Sequence, residues 1–303
     1  MSYQARKFKT FVNLLEQNTL QEGANYSVLE GFGTYKASAP KPRQPGIDLA
    51  AIWIIGQGRK ICHVGDQPFD FSSGKMVVML YPLAVESEVV DAGREKPLLL
   101  AAVIVDMRRI ADVLLRIDRI DGAAAKPVKT DPSSVFELPL SDKVLDPFIR
   151  LLELNAYPMD MEMLGDTLID EIYYRLLTGE RGGELRYLLQ QRGEIQRISR
   201  AVEYIHNNVD KPVSVQALAE MVHMSRTSFY DNFKDVMHLS PLQYAKSVKL
   251  HRAQTLIQEG KNAGEAAYQV GYNSPAQFSR EYKRHFGYPP SATQFASTSI
   301  AIS

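Results

Sequence analysis

The C-terminal third of the chain contains one short pattern twice, and this repeat limits the fold more strongly than any other feature. The first copy runs from Leu218 to Pro241 and the second from Ala266 to Pro290. Alanine and valine positions in the first half recur 48 residues apart, whereas aromatic, lysine and proline positions in the second half recur 49 residues apart. Each copy predicts two short helices joined by a tight turn, and the additional residue of the second copy is predicted to lie in that turn.

Each copy has the small, turn and capping residues that a helix–turn–helix unit needs. Close packing of the two helices requires a small residue, and both copies place an alanine there, Ala219 and Ala267. Gly271 can adopt the left-handed conformation of a tight turn, and its counterpart His223 is of a type that visits positive φ more often than most. Ser225 in the first copy, and Asn273 or Ser274 in the second, are predicted N-caps of the second helices.

The second helix of each copy has an apolar side and a polar side. The aromatic pairs are spaced i and i+4 and are predicted to face the core: Phe229 with Phe233, and Phe278 with Tyr282. The outward residues are Arg226, Thr227, Tyr230, Asp231 and Lys234 in one copy, and Pro275, Ala276, Gln277, Arg280 and Lys283 in the other. Arginine can pair with guanine, glutamine can pair with adenine, and lysine can hold phosphates. The pattern therefore predicts double-stranded DNA as a partner, contacted through the major groove.

These residues resemble a known family. The segment from about Val213 to Gln294, with LAEMVHMSRTSFYDNFK and GYNSPAQFSREYKRHFGYPP, is similar to the DNA-binding domain of AraC/XylS-type transcription regulators. The resemblance implies a regulator rather than an enzyme, with RNA polymerase as a further partner if it activates. It also implies base-reading positions at Thr227, Tyr230, Asp231, Ala276, Gln277 and Arg280. Asp231 stands where many members carry a basic residue, and Pro289 replaces a small hydroxyl residue.

The first two-thirds of the chain has a different character. A helix is predicted over residues 6–18, and short β-prone runs between Gly and Pro residues over 31–107 predict an antiparallel sandwich or barrel. Helical periodicity resumes at Met107 and, after a polar loop over 121–134, continues in helices over 141–155, capped by Ser141, and over 159–178. We predict two domains, 1–192 and 195–296, with helix–turn–helix units at about 215–236 and 263–286.

The N-terminal part more loosely resembles the sensor and dimerisation domain of one branch of the same family. The implied fold class is α+β: a cupin-like antiparallel β-barrel followed by helices, then the all-α domain. Trp53, Met79 and Tyr81 are candidates for lining an effector pocket, with plain core packing as the alternative. No metal site or cofactor is predicted, because His63 is the only histidine before His206. The stripe of Leu164, Leu168, Ile172 and Leu176 predicts either domain core or a homodimer face.

Composition is consistent with this interpretation. Of the 303 residues, 45% are hydrophobic and 23% charged, and no apolar run reaches the ~18–20 residues of a membrane span. The single cysteine, Cys62, suits a reducing cytoplasm. The chain has no net charge, but residues 195–296 carry 12 Lys and Arg against 8 Asp and Glu, a net +4. This asymmetry has the sign that a DNA-binding domain requires.

The sequence therefore predicts a cytoplasmic, sequence-specific DNA-binding regulator, controlled by a small-molecule effector and homodimeric, with no membrane partner. One alternative is a ligand-independent regulator whose barrel only oligomerises. Another is a cupin-like enzyme without a metal, to which a helical appendage is attached. The effector, the operator and the choice between activation and repression stay open.

Overall fold

A computed structural model describes residues 3–121, 135–190 and 194–295. The N-terminal region begins with helix α1 (Tyr3–Asn18), and nine strands follow it. They are β1 (Gly23–Tyr26), β2 (Phe32–Ala37), β3 (Lys41–Asp48), β4 (Ala51–Gln57), β5 (Arg59–Val64), β6 (Gln67–Ser72), β7 (Lys75–Met79), β8 (Leu83–Asp91) and β9 (Leu98–Ile104). After α2 (Met107–Asp121), strand β10 (Val135–Pro139) returns to the sheet.

The strands form two antiparallel sheets. One has the order β1-β2-β9-β4-β7-β10 and the other the order β3-β8-β5-β6. The predicted antiparallel, strand-rich domain is confirmed, but its strands are arranged as two sheets instead of a closed barrel. β1 and β10 were not predicted. Each is short, lies at an edge of its sheet and pairs with a single strand, β1 with β2 and β10 with β7.

Strand β4 is apolar throughout and lacks the alternation of apolar and polar residues that a half-exposed strand shows. Ile52 lines a small apolar cavity together with Tyr173 and Leu177 of the helical layer. Trp53, on the opposite face of the strand, lies beside Lys60 of the second sheet. Because one side of the strand is covered by helices and the other by strands, residues 51–56 are all buried.

Helices α3 (Asp142–Leu154), α4 (Pro158–Thr178) and α5 (Gly182–Gln190) complete this region. Ser141 is confirmed as the N-cap of α3, since its side chain accepts from the Val144 amide. Three members of the leucine-rich stripe of α4 are buried in the domain core, while Leu164 is 49% exposed. The stripe is therefore mainly core. Residues 122–134 of the predicted polar loop lie outside the described residues.

The C-terminal region is helical, as predicted. Its helices are α6 (Glu194–Asn207), α7 (Val215–Met221), α8 (Arg226–Met237), α9 (Pro241–Gln258), α10 (Ala263–Gln269) and α11 (Pro275–Phe286), followed by a 3₁₀ turn (Pro290–Phe295). The bounds of α10 are those of α7 moved by 48 residues, and the bounds of α11 are those of α8 moved by 49. The additional residue of the second copy thus lies in the turn, as the sequence predicted.

The backbone of the two units also agrees with the predictions. His223 and Gly271 have φ values of 54° and 80°, so both copies use the left-handed conformation in the turn. Ser225 and Ser274 are the N-caps of α8 and α11, which decides the choice left open between Asn273 and Ser274. His238 and Gly287 end the two helices, again with positive φ.

Candidate nucleic-acid interface

The second helix of each unit buries one side and exposes the other. Phe229, Phe233, Phe278 and Tyr282 are fully buried, as predicted from their spacing. All ten predicted DNA-contacting residues are exposed. We call these ten residues the recognition surface: Arg226, Thr227, Tyr230, Asp231 and Lys234 on α8, and Pro275, Ala276, Gln277, Arg280 and Lys283 on α11.

The cations of the recognition surface are available for a partner. Within residues 3–121, 135–190 and 194–295, no carboxylate forms an ion pair with Arg226, Lys234, Arg280 or Lys283. Arg284 is a further exposed cation in the last turn of α11. An exposed guanidinium without an internal acceptor can bind a base edge or a phosphate without first breaking a protein contact.

One carboxylate on α11 organises the polar side chains around it. Glu281 Oε1 accepts a hydrogen bond from Gln277 Nε2 at 3.3 Å. Glu281 Oε2 accepts from Tyr272 Oη at 3.0 Å and lies 3.2 Å from Lys246 Nζ of α9. Partial burial opposes ionisation, but these three donors outweigh it and lower the pKa of the Glu281 carboxyl. This cluster was not predicted from the sequence, although the i, i+4 spacing of Gln277 and Glu281 was a usable signal.

Two known family descriptions match most of the chain. "AraC-type transcriptional regulator N-terminus" matches residues 28–184, and "Helix-turn-helix domain" matches residues 218–295. The chain belongs to the AraC-type transcriptional regulators. The resemblance inferred from the C-terminal motifs is therefore confirmed, and it extends to the N-terminal domain.

Curated relatives match this AraC-type regulator over about a third of its length. The lactose operon transcription activator of Staphylococcus xylosus is 32% identical over 90 residues, which are 29% of this chain and 32% of that protein. The regulator AlkR of Acinetobacter baylyi is 35% identical over 94 residues, 31% of each chain. The chain thus spans about a third of the length of these relatives, all of which are transcription regulators.

A solved structure shares the fold over nearly the whole chain. ToxT from Vibrio cholerae, with an unsaturated fatty acid bound, aligns with a TM-score of 0.57 at 12% identity and covers 91% of this chain and 97% of ToxT. ToxT bound to (E)-4-(8-methylnaphthalen-1-yl)but-3-enoic acid gives a TM-score of 0.56 at 13% identity, covering 88% of this chain and 99% of ToxT. The two-sheet domain and the helical domain therefore occur together in a known fold.

In this AraC-type regulator the strands of the N-terminal region pack against helices of the C-terminal region. α9 contacts β3 and β8, and α11 contacts β3. Tyr244 Oη of α9 donates to the Pro82 carbonyl at 2.8 Å, and His206 Nε2 lies 2.8 Å from the same hydroxyl. The turn at Gly65, between β5 and β6, approaches His238 at the end of α8. Thus α11 contacts the second sheet, and the residue that caps α8 lies near the turn between β5 and β6.

Histidines line part of this contact. The rings of His251 and His285 lie 5.0 Å apart, edge to face, and both contact Phe286. Burial lowers the pKa of both imidazoles, to about 3 for His285. At neutral pH these rings are uncharged and pack as aromatic groups.

The interior of the N-terminal domain holds a charged cluster. The ammonium of Lys60 lies 2.8 Å from Asp48 Oδ2, and both side chains are nearly inaccessible. Cys62 Sγ lies 3.3 Å from the same carboxylate oxygen. Burial opposes the charge on Lys60, but the adjacent carboxylate outweighs it and raises the lysine pKa, while burial raises the pKa of the Cys62 thiol. Strand alternation could have found Lys60, because it shares a face with Cys62.

The predicted pocket residues lie around this cluster or in the core. Trp53, Met79 and Tyr81 are all buried. The ammonium of Lys60 is 6.0 Å from the Trp53 ring, and the indole nitrogen has no hydrogen-bond partner among the described residues. Met79 lies on the same face of the sheet as Trp53, by the register of β4 with β7.

Among the described ranges, no helix is both long enough and apolar enough to cross a bilayer. Across those same ranges, no three His, Cys, Asp or Glu side chains are grouped so as to hold a metal ion.

Proposed function

We propose that this AraC-type regulator is a cytoplasmic transcription regulator that binds a specific DNA sequence through both helix–turn–helix units. The observation that carries the proposal is the exact correspondence of α8 and α11, two helices of equal length with buried aromatic pairs and exposed polar faces. We expect α8 and α11 to enter successive major grooves on one face of the duplex, roughly 34 Å apart. The partner is double-stranded DNA.

Within this proposal the exposed residues divide by chemistry. Arg280 and Gln277 are suited to read base edges, guanine and adenine respectively. Lys234 and Lys283 are suited to phosphate contacts, which contribute affinity without sequence preference. Asp231 fits best opposite a cytosine amine, because a carboxylate near phosphates is unfavourable.

We further propose that a small-molecule effector controls this binding. ToxT has been solved with two different carboxylic acids that carry large apolar groups. In the present chain, Lys60 is a buried cation among aromatic rings, and Trp53 offers a buried N–H donor. An apolar carboxylic acid would replace Asp48 as the partner of Lys60. Asp48 lies on β3, the strand that α9 and α11 contact, so its displacement would alter that packing. An effector acts only if its affinity differs between the two arrangements.

A homodimer formed through the N-terminal helices completes the proposal. The outer side of α4 exposes Met159, Met163, Leu164 and Tyr174, with exposed fractions between 44% and 75%. Tyr174 also borders a groove of about 610 Å³ between α2 and α4. An exposed apolar surface of this kind is typical of an interaction face.

Two matched variants of α11 test DNA binding. Sequences bound by the full-length protein are selected from random duplexes, and affinities are then measured at several salt concentrations. Arg280→Ala should weaken specific binding by about 1–3 kcal/mol and relax the preference at one base pair. Lys283→Ala should weaken binding to all duplexes alike and reduce the salt slope by about one unit.

The two variants control for each other, because both remove an exposed cation from the same helix. Arg280→Ala with unchanged base preferences would show that α11 does not read bases through this residue. An unchanged salt slope for Lys283→Ala would show that Lys283 does not contact a phosphate. A wild-type protein that prefers no duplex over random DNA, with and without a fatty acid present, would refute the proposed function.

A further inference from the structure

Glu281 and its three polar partners, Gln277, Tyr272 and Lys246, form what we call the Glu281 cluster. Gln277 is exposed on the recognition surface, yet its amide nitrogen is held by Glu281, one turn further along α11. Glu281 is itself fixed from the other side by Tyr272 and by Lys246. The carboxylate therefore joins a solvent-facing side chain to two residues that belong to the body of the domain.

The direction of this hydrogen bond restricts the orientation of the Gln277 side-chain amide. A carboxylate accepts hydrogen bonds only, so the amide must present Nε2 and not Oε1 to Glu281. Turning the amide over would place two acceptor oxygens against each other. Nε2 carries two hydrogens, so it can donate one to Glu281 and keep the other for a base. Together with Oε1, the amide then still offers one donor and one acceptor, as paired recognition of adenine N7 and N6 requires.

We propose that Glu281 is a positioning residue that sets the base preference of Gln277, favouring adenine at one position of the DNA site. Glu281 touches no base in this arrangement. It orients and immobilises the glutamine before binding, so that less side-chain freedom is lost on the DNA. This inference rests on the proposed function, because it requires α11 to lie in a major groove.

Glu281→Gln is the test variant, because glutamine keeps the size of the side chain but can present either a donor or an acceptor to Gln277. In a selection from random duplexes, we expect the preference for adenine at the position read by Gln277 to fall about three- to tenfold. This is part of the roughly 5- to 150-fold discrimination of a paired contact. Preferences at the other positions and the salt slope should not change.

Lys246→Gln is the matched control. It removes the ion pair on the far side of Glu281, as Glu281→Gln also does, but leaves the carboxylate to hold Gln277. We expect its base preferences to equal those of the wild type. Gln277→Ala should lose the adenine preference completely, and combining it with Glu281→Gln should add nothing, because the two residues act through one contact.

The possible results distinguish a failure of the positioning role of Glu281 from a failure of the proposed function. A Glu281→Gln protein with wild-type preferences, or with all positions weakened alike, would overturn the positioning role and leave the proposed function intact. The same holds if Gln277→Ala alters no position. If the wild-type protein itself enriches no sequence, the proposed function fails, and the positioning role with it.

Discussion

Replacing Gly271 by alanine should destabilise the second helix–turn–helix unit through a specific steric overlap. Gly271 has φ of 80°, and a β-carbon there would overlap the backbone carbonyl oxygen of Asp210, in the segment between α6 and α7. His223 occupies the equivalent turn position with φ of 54°. A side chain is therefore compatible with the turn itself, and the neighbouring carbonyl is what requires glycine at 271.

Gly287 offers a control in the same domain. Its φ is 82°, nearly that of Gly271, but a β-carbon there would have no atom within 4 Å. The left-handed conformation costs an alanine about 1–2 kcal/mol, and the reduced entropy of the unfolded chain offsets about 0.4–1 kcal/mol of it. Gly287→Ala should thus cost between about 0 and 1.6 kcal/mol. Gly271→Ala adds an overlap with backbone, typically about 1–3 kcal/mol.

Thermal unfolding followed by circular dichroism measures the difference. For a domain of about 100 residues, 1 kcal/mol corresponds to about 4–8 °C in Tm. The Gly271→Ala protein should therefore unfold at least about 4 °C below the Gly287→Ala protein. Equal Tm values for the two variants would refute the reasoning, because they would show that Asp210 does not restrict the turn.

Two other predictions concern acid stability and the effector. Burial lowers the pKa of His285 to about 3, so the unfolded chain binds more protons than the folded chain below pH 6.5. The free energy of unfolding should fall between pH 6.5 and 3, by up to about 1.4 kcal/mol per pH unit from this residue. Urea titrations should give a shallower pH dependence for His285→Phe, and an identical slope would contradict the assignment. An unsaturated fatty acid, but not the alcohol of equal chain length, should change the DNA affinity of the wild type in fluorescence anisotropy. The double variant Lys60→Met, Asp48→Leu should fold, since it leaves no unpaired buried charge, but should not respond. A full response would exclude Lys60 from the effector site.

The helix–turn–helix units could be predicted closely because local rules determine them. Serine N-caps, a left-handed turn residue and aromatic residues at i and i+4 depend on neighbours within one or two turns of chain. The repeat supplied each of these signals twice, so the exposed recognition surface was predicted residue by residue. Whether those residues contact DNA stays a prediction.

For the N-terminal domain, only the fold class could be predicted from the sequence. Short β-prone runs indicated antiparallel strands, but pairing joins residues far apart, such as Val135 with Met79. The β-prone runs carry no information on which strands are neighbours, so β10 was missed, and the runs alone left both a sandwich and a barrel open.

By itself, the sequence determined the duplicated helical unit, its turn geometry, its polar outer faces and the family to which the chain belongs. Only the tertiary structure decided that β3 lies against α9 and α11, that Lys60 pairs with Asp48 inside the sheets, and that Lys246 reaches Glu281. The physical reason is the separation along the sequence of the residues that determine each feature. Caps and helix faces are set by residues a few positions apart, whereas buried ion pairs and domain contacts depend on which distant surfaces the folded chain brings together.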